Sequence, residues 1–152
     1  RLRLSTRKEA PVNQMIFINL PVSDVQAATD FYKALGATKN ELFSNEASSS
    51  MVISDTITVM LLSHDRWREF TPKQIPDAHK SAQVLLCLSM ESPEACDAAV
   101  AAATLAGGKP DPTPKQDHGF MYGRSYEDPD GHIWEVMWMD VAALQESMAA
   151  QN

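Results

Sequence analysis

One carboxylate stands out among the residues that could do chemistry, because it interrupts an apolar segment near the end of the chain. Glu135 lies between Trp134 and Val136 in the run 133–139. Burying an unpaired carboxylate is costly, so such a residue has a partner or serves a function. Two roles therefore stay open for Glu135. It either forms an ion pair or hydrogen bond, for example with Arg124 one strand away, or acts as a pocket acid or base whose pKa is raised by burial.

Three further candidate residues lie just before this segment. Tyr122 and Arg124 are two residues apart and share a face of a strand. That face suits a pocket wall that binds an anion or an aromatic ring, and equally a solvated outer face. His118 follows Asp117 in the preceding loop, where it would either reach the mouth of a cleft or pair with that aspartate.

Charge and cysteine content narrow the function classes. The net charge of −7 argues against a nucleic-acid partner, because phosphate binding needs a basic face. No apolar run approaches the roughly 18 residues of a membrane span, so no membrane partner is expected. Cys87 and Cys96 are too far apart for a Cys-x-x-Cys pair and are interpreted as reduced core residues. These properties predict a cytoplasmic globular protein.

The first half of the chain predicts a strand, a helix and three more strands. Residues 15–22 have a strand pattern, and Ser23-Asp24 then provides helix N-cap chemistry. Apolar residues at helical spacing follow until Gly36, a typical residue after a helix end. Three short apolar runs separated by serine-rich turns predict the remaining strands, at 41–43, 51–53 and 57–62.

The same order of elements returns after a connecting loop at 64–80, for which a helical turn is predicted at 65–70. The second set comprises a strand at 83–88, a helix at 95–106, a proline-rich edge segment at 110–114, and strands at 119–126 and 132–139. Repeated units of this kind usually pack against each other. We therefore predict an α+β fold in which two βαβββ modules with curled sheets enclose a cleft.

The predicted domain organisation is one domain behind a short extension. Residues 1–14 are basic and polar, unlike a secretory signal, and are predicted to be flexible. The single domain at 15–152 is divided into module one at 15–63, a linker at 64–80, module two at 81–139, and a C-terminal helix at 140–150.

Three features of the sequence resemble a known family. Leu20-Pro21-Val22-Ser23-Asp24 is followed by Phe31-Tyr32 and Leu35-Gly36, and Asp128-Pro129-Asp130-Gly131 is followed by Glu135 four residues later. Together with the module order, these motifs resemble the vicinal oxygen chelate superfamily of glyoxalase I, extradiol dioxygenases, and fosfomycin-modifying and bleomycin-sequestering proteins. The tail from Asp117 to Asp140 resembles its glyoxalase-related branch, often labelled "predicted lactoylglutathione lyase".

The resemblance implies a divalent metal ion held by the first and last strands of each module, through His or Gln, Glu, His or Gln, and Glu. The matching positions are Phe17, seven residues before Asp24, then Met60, Gln83 and Glu135. Only Gln83 and Glu135 offer oxygen ligands, and both are weak metal candidates. Transition-metal sites usually have three or four protein ligands, so we expect no cofactor, with zinc, nickel, manganese or iron as the alternative.

Two functions from different classes stay open, besides a dimeric scaffold without catalysis. The first is metal-free binding of a small cationic or planar molecule. Its ligand-binding residues would be Phe17, Asn19, Met60, Gln83, His118, Tyr122 and Arg124, with Glu135 beside them. The second is a glyoxalase-like lyase, an isomerase or a dioxygenase-like enzyme that acts on a thiol adduct or vicinal-oxygen substrate, with Glu135 as metal ligand or general base. Relatives commonly pair two chains, so a homodimer is expected, with the cleft inside one chain or across the interface.

Overall fold

Two β-sheets and four helices form the part of the chain that the structure, a computed structural model, describes, residues 13–152. The first half contains β1 (Ile16–Val22), α1 (Val25–Ala34), β2 (Thr38–Lys39), β3 (Ser48–Val52) and β4 (Ile57–Ser63). Next come α2 (His64–Arg68), β5 (Leu86–Ser89), α3 (Pro93–Leu105), β6 (Lys109–Pro110), β7 (Gln116–Asp117), β8 (Met121–Glu127), β9 (Ile133–Met139) and α4 (Val141–Ala149). The predicted α+β class is confirmed. The predicted extension at 1–14 lies, as far as residue 12, outside the described residues.

Both sheets follow the same plan, with the first strand of each half parallel to the last. The first sheet has the order β1-β4-β3-β2 and the second β5-β9-β8-β6, with β7 also paired to β8. Thus β1 runs parallel to β4, and β5 runs parallel to β9. Because β1 and β5 stand at the ends of their sheets, each has one edge without a strand partner among residues 13–152.

The structure differs from the predicted strands at several places, of which two concern the candidate site. The run 41–43 was predicted as a strand but forms a 3-10 helix, because the Asn40 side chain accepts a hydrogen bond of 3.2 Å from the Leu42 N–H and caps a helical turn. The strand predicted at 83–88 begins only at Leu86, where pairing with Trp134 of β9 begins. Gln83 therefore lies ahead of β5 and outside the sheet.

Helix α1 begins and ends as its sequence predicts. The Asp24 side chain accepts a hydrogen bond from the Ala27 N–H at 3.0 Å, and Gly36 follows the helix with a φ of +98°. Phe31 and Tyr32 on its inner side are almost fully buried. Their rings meet edge to face, with 5.1 Å between centroids.

A buried hydrogen-bond network joins the two halves of the chain. The Tyr32 hydroxyl donates to Oδ2 of Asp128 at 2.6 Å and accepts from the Trp134 indole N–H at 2.9 Å. Oδ1 of Asp128 accepts from the backbone N–H groups of Asp130 and His132. Burial raises the pKa of the Asp128 carboxyl above its ordinary value, and burial together with the nearby Asp128 raises that of Tyr32 well above its own. The two sequence motifs that carry the family resemblance therefore meet in one network.

The turn after β8 also holds β1 and the linker. The Ser23 N–H donates to Oδ1 of Asp130 at 2.8 Å, and Nε2 of His132 donates to the Pro21 carbonyl at 2.8 Å. Gly131 has a φ of +95°, and a Cβ there would stand 2.7 Å from the backbone of Ala78. Only glycine lets the linker pass this close to the turn.

Among residues 13–152, no helix combines the length and apolar character that crossing a bilayer requires.

Candidate functional site

Each sheet has one face packed into the core and one face turned away from it, which we call its outer face. On the first sheet the outer face carries Phe17, Asn19 and Met60, with Asn19 and Met60 paired across β1 and β4. On the second sheet it carries Glu135, paired with Cys87 on β5 and Ser125 on β8. The predicted candidate residues are therefore divided between two outer faces.

Phe17 and Met60 line an open cavity of about 600 Å³ on the first outer face, which we call the open cavity. Phe43 and Val52 extend its apolar wall, and Thr58 contributes a hydroxyl. Phe17 itself is 56% exposed, although it is a large aromatic residue in a strand. This cavity offers mainly contact area and few polar groups.

Asn19 and Gln83 line a second cavity, of about 320 Å³, which lies between β1, the start of β9 and the linker. We call it the roofed cavity, because linker residues such as Trp67 and Pro76 form one of its walls. The cleft predicted as one space is thus two cavities. Phe17 and Met60 line the open cavity, and Asn19 and Gln83 line the roofed cavity.

Glu135 lines neither cavity and is half-buried on the second outer face. Within residues 13–152 its carboxylate makes no ion pair. Its neighbour Cys87 is exposed, so the prediction that both cysteines lie in the core is right for Cys96 and wrong for Cys87. The reason is strand alternation, since Leu86 and Leu88 pack against the core and turn Cys87 outward. Burial, and then the negative charge of Glu135, raises the pKa of the Cys87 thiol.

Arg124 lies on the opposite face of the sheet from Glu135. In the register of β8 and β9, Arg124 pairs with Val136 and Ser125 pairs with Glu135. The guanidinium donates to Asp111 at 2.7 and 3.1 Å and to Asp97 on α3 at 3.1 Å. The alternative of an ion pair between Arg124 and Glu135 is therefore not what the structure shows, because strand alternation turns the two side chains apart.

Tyr122 shares the face of Arg124, as predicted from their spacing, and its hydroxyl donates to Asp97 at 2.6 Å. These hydrogen bonds lower the pKa of the Asp97 and Asp111 carboxyls. Tyr122 and Arg124 do not share a pocket with Glu135, because the register of β8 and β9 places them on the opposite face of the sheet.

His118 stands apart from both cavities. It is exposed, its Nε2 lies 3.0 Å from the Gln116 side-chain oxygen, and its ring stacks on Phe120 with 6.3 Å between centroids. Asp117 accepts a hydrogen bond from the Gly119 N–H at 3.2 Å. The alternative of a His118–Asp117 pair is therefore not what the structure shows.

Comparison with known proteins identifies the family. Residues 14–136 match the sequence model of the Glyoxalase/Bleomycin resistance protein/Dioxygenase superfamily. The chain belongs to this superfamily. No protein of curated function matches the chain.

Solved structures of other proteins share its fold. A hypothetical protein, SA1046, from S. aureus is 26% identical with a TM-score of 0.69, and the match covers 82% of this chain and 93% of that one. A family enzyme from Burkholderia phytofirmans PsJN is 16% identical with a TM-score of 0.68, covering 84% and 99%. The fosfomycin resistance protein FosX from Listeria monocytogenes is 17% identical with a TM-score of 0.60, covering 83% and 90%.

The internal repeat of the superfamily fold changes one of the four predicted ligand positions. Ser92 caps α3 as Asp24 caps α1, each accepting from the N–H three residues later, at 3.1 and 3.0 Å. Seven residues before Asp24 stands Phe17, and seven residues before Ser92 stands Leu85 rather than Gln83. By this spacing Leu85, and not Gln83, corresponds to Phe17, and Gln83 lines the roofed cavity instead.

The same repeat relates Met60 to Glu135. Met60 pairs with Asn19, five residues before Asp24, and Glu135 pairs with Cys87, five residues before Ser92. The four positions thus hold Phe17, Met60, Leu85 and Glu135. One carboxylate among three apolar side chains does not fit the superfamily's metal ion, for which three or four nitrogen or oxygen ligands are usual.

Proposed function

We propose that this protein binds a small organic molecule without using the superfamily's metal ion. The observation that carries the proposal is the set of side chains at the four ligand positions, Phe17, Met60, Leu85 and Glu135. Apolar side chains in place of nitrogen and oxygen ligands cannot chelate a metal ion. They can bind an organic molecule by burying its apolar surface. Membership of the superfamily supports the proposal, because its named branches include a bleomycin resistance protein.

The open cavity is the proposed binding site. Its wall of Phe17, Phe43 and Met60 favours a planar apolar group, and methionine adapts its shape to different ligands. Asp55 is the one charged residue among residues 13–152 that line this cavity. A carboxylate beside an aromatic wall supports a planar ligand that carries a positive charge.

Metal content is the measurement that tests the proposal. Elemental analysis of the purified chain, before and after incubation with nickel, zinc, manganese or iron(II) and desalting, is expected to find far less than one ion per chain. The variant F17H/M60E/L85H provides the comparison, because it restores nitrogen and oxygen donors at the apolar positions. Stoichiometric, tightly held metal in the unaltered chain would refute the proposal.

A lyase or isomerase acting on a thiol adduct is the second candidate function. It is favoured by Glu135, a half-buried carboxylate that makes no ion pair within residues 13–152. Such a carboxylate can take a proton from the carbon beside a carbonyl. Turnover of a hemithioacetal, formed from a thiol and a 2-oxoaldehyde, should then be lost in Glu135→Gln and kept in Glu127→Gln. Equal turnover in both variants would remove Glu135 from any mechanism.

We also propose that two copies of the chain pair through the exposed apolar residues beside β1 and β5. Five large apolar side chains there are at least half exposed, namely Met15, Ile16, Phe17, Val84 and Leu85. Exposed apolar patches of this kind commonly mark contacts between proteins. Light scattering coupled to size exclusion should give the mass of a dimer, and Ile16→Glu with Val84→Glu should give that of a monomer.

The cytoplasm is the proposed location. Cys87 and Cys96 are both unpaired thiols, which persist in a reducing compartment. Imaging of a tagged chain in intact cells would test this location.

A further inference from the structure

The linker over the roofed cavity is held by its own hydrogen bonds. The Asp77 side chain accepts from the His79 N–H at 3.0 Å, and the Asp77 carbonyl accepts from the N–H groups of Lys80 and Ser81 at 3.0 Å. This turn rests directly on Gly131, where even a Cβ would collide with the Ala78 backbone. The linker is therefore a packed structural element that forms one wall of the cavity.

The size and lining of the roofed cavity suit a small ligand. Its volume of about 320 Å³ is at the lower end of the range typical of ligand pockets, roughly 300–1,000 Å³. Leu20, Leu86 and Ile133 form an apolar floor, and Trp67 lies in the roof. Such a lining favours a ligand with a flat apolar body of about one or two rings.

The charge of the lining differs from that of the whole chain. The chain has 20 acidic against 13 basic residues, yet no carboxylate is found among the described residues that line this cavity. Lys73 is the one residue of that lining with a permanent full charge. Amide groups of Asn19 and Gln83 supply further hydrogen-bond donors, whereas Nε2 of His132 already donates to Pro21. These groups favour an anionic ligand head over a cationic one.

We propose that the roofed cavity binds a small aromatic or alicyclic carboxylate. Its ring lies between the apolar floor and Trp67, and its carboxylate meets Lys73 and the amide donors. The site is separate from the open cavity, since Phe17 and Met60 do not line it. The proposal for the roofed cavity is therefore independent of the metal-free binding proposed for the open cavity.

Three probes with one ring system and different head groups test the charge preference. Affinities for this cavity are read from the shift of the Trp67 indole N–H signal in nuclear magnetic resonance titrations with 2-naphthoate, 2-naphthalenemethanol and 2-naphthylmethylammonium, because the open cavity proposed for planar cations is not lined by a tryptophan. The carboxylate is expected to bind at least tenfold more tightly than the ammonium. In Lys73→Gln the carboxylate should fall to the affinity of the alcohol. Lys80→Gln is the matched control, because Lys80 belongs to the same linker but does not line the cavity, and it should bind like the unaltered chain.

The location of the probe is read from the indole N–H signals in nuclear magnetic resonance spectra. Naphthoate should shift the Trp67 signal and leave that of Trp138, which does not line the cavity, unchanged. Tighter binding of the ammonium probe than of naphthoate at Trp67, an unshifted Trp67 signal, or equal losses in the two lysine variants would each overturn the proposal. None of these outcomes bears on metal content, so the two proposals fail separately.

Discussion

The Tyr32 hydroxyl donates a hydrogen bond of 2.6 Å to Asp128, and this contact joins α1 of the first half to the turn after β8 in the second. Both side chains are at most 2% exposed, and Trp134 donates to the same hydroxyl. Removing that hydroxyl would leave a buried carboxylate and a buried indole N–H each short of a partner.

Tyr32→Phe is therefore expected to lower the free energy of unfolding by about 2–4 kcal/mol, since each buried group left unsatisfied costs about 1–3 kcal/mol. Urea denaturation followed by circular dichroism measures this change. Tyr122→Phe is the control, because its partner Asp97 is half exposed and water can replace the lost donor. An equal loss in the two variants would contradict the proposed role of the buried network.

Asp128 is expected to give the fold a pH dependence of its own. Its pKa is higher in the folded state than in the unfolded state, mainly because of burial, so the folded state binds its proton more tightly. The stability linked to this proton is present below the unfolded pKa of about 4 and is lost as pH rises through the raised folded pKa.

Asp128→Asn should remove that decline while keeping the side-chain oxygen that accepts from Asp130 and His132. Urea denaturation at pH values from about 4 upward would measure how the free energy of unfolding declines in the two proteins. An unchanged slope in the variant would show that another group is responsible.

Arg124 is expected to give the free energy of unfolding a second pH dependence, at acidic pH and opposite in sign to that of Asp128. Hydrogen bonds from Tyr122 and then Arg124 lower the pKa of Asp97 in the folded state, and those from Arg124 lower the pKa of Asp111. The stability linked to these carboxylates is present above the unfolded pKa and is lost as pH falls through the lowered values. Arg124→Gln should make the unfolding free energy depend less on pH below about 4. Because both carboxylates are partly exposed, the effect should shrink in high salt. If Arg124→Gln lowered the free energy of unfolding by the same amount at low and high salt, packing of the arginine side chain would be the cause instead.

Gly131→Ala is expected to displace the linker from the turn. Alanine at a φ of +95° costs about 1–2 kcal/mol, and the new Cβ would also strike the Ala78 backbone at 2.7 Å. Gly119→Ala separates the two effects, because Gly119 has a φ of +78° but open space around it. The unfolding free energy should fall further for Gly131→Ala, and proteases should cleave its linker faster. Equal behaviour of the two variants would mean that the linker does not rest on this turn.

Local chemistry made much of the fold predictable. Asp24, the apolar stripe of α1 and Gly36 act within about one helix length, so their pattern alone marks where α1 begins and ends. The same holds for the alternation in β9, which separates Trp134 from Glu135. Membership of the superfamily also follows from such short motifs.

The composition of the candidate site depended on contacts between distant parts of the chain. Spacing places Tyr122 and Arg124 on one face, but only the register with β9 and the aspartates near α3 decide which face that is. Likewise, Cys87 pairs with Glu135 as Asn19 pairs with Met60, and this register relates Leu85 rather than Gln83 to Phe17. The linker showed no periodic pattern that would have predicted a roof.

The difference in exposure between Cys87 and Cys96 allows a thiol reagent to label one cysteine selectively. Cys96 is fully buried and Cys87 is exposed, so a maleimide dye added to the folded protein has one accessible target. Because the pKa of Cys87 is raised, coupling should speed up as the solution is made alkaline. A label at this position would sit across the strand from Glu135, where it could report ligand arrival or subunit pairing in the natural sequence without any substitution.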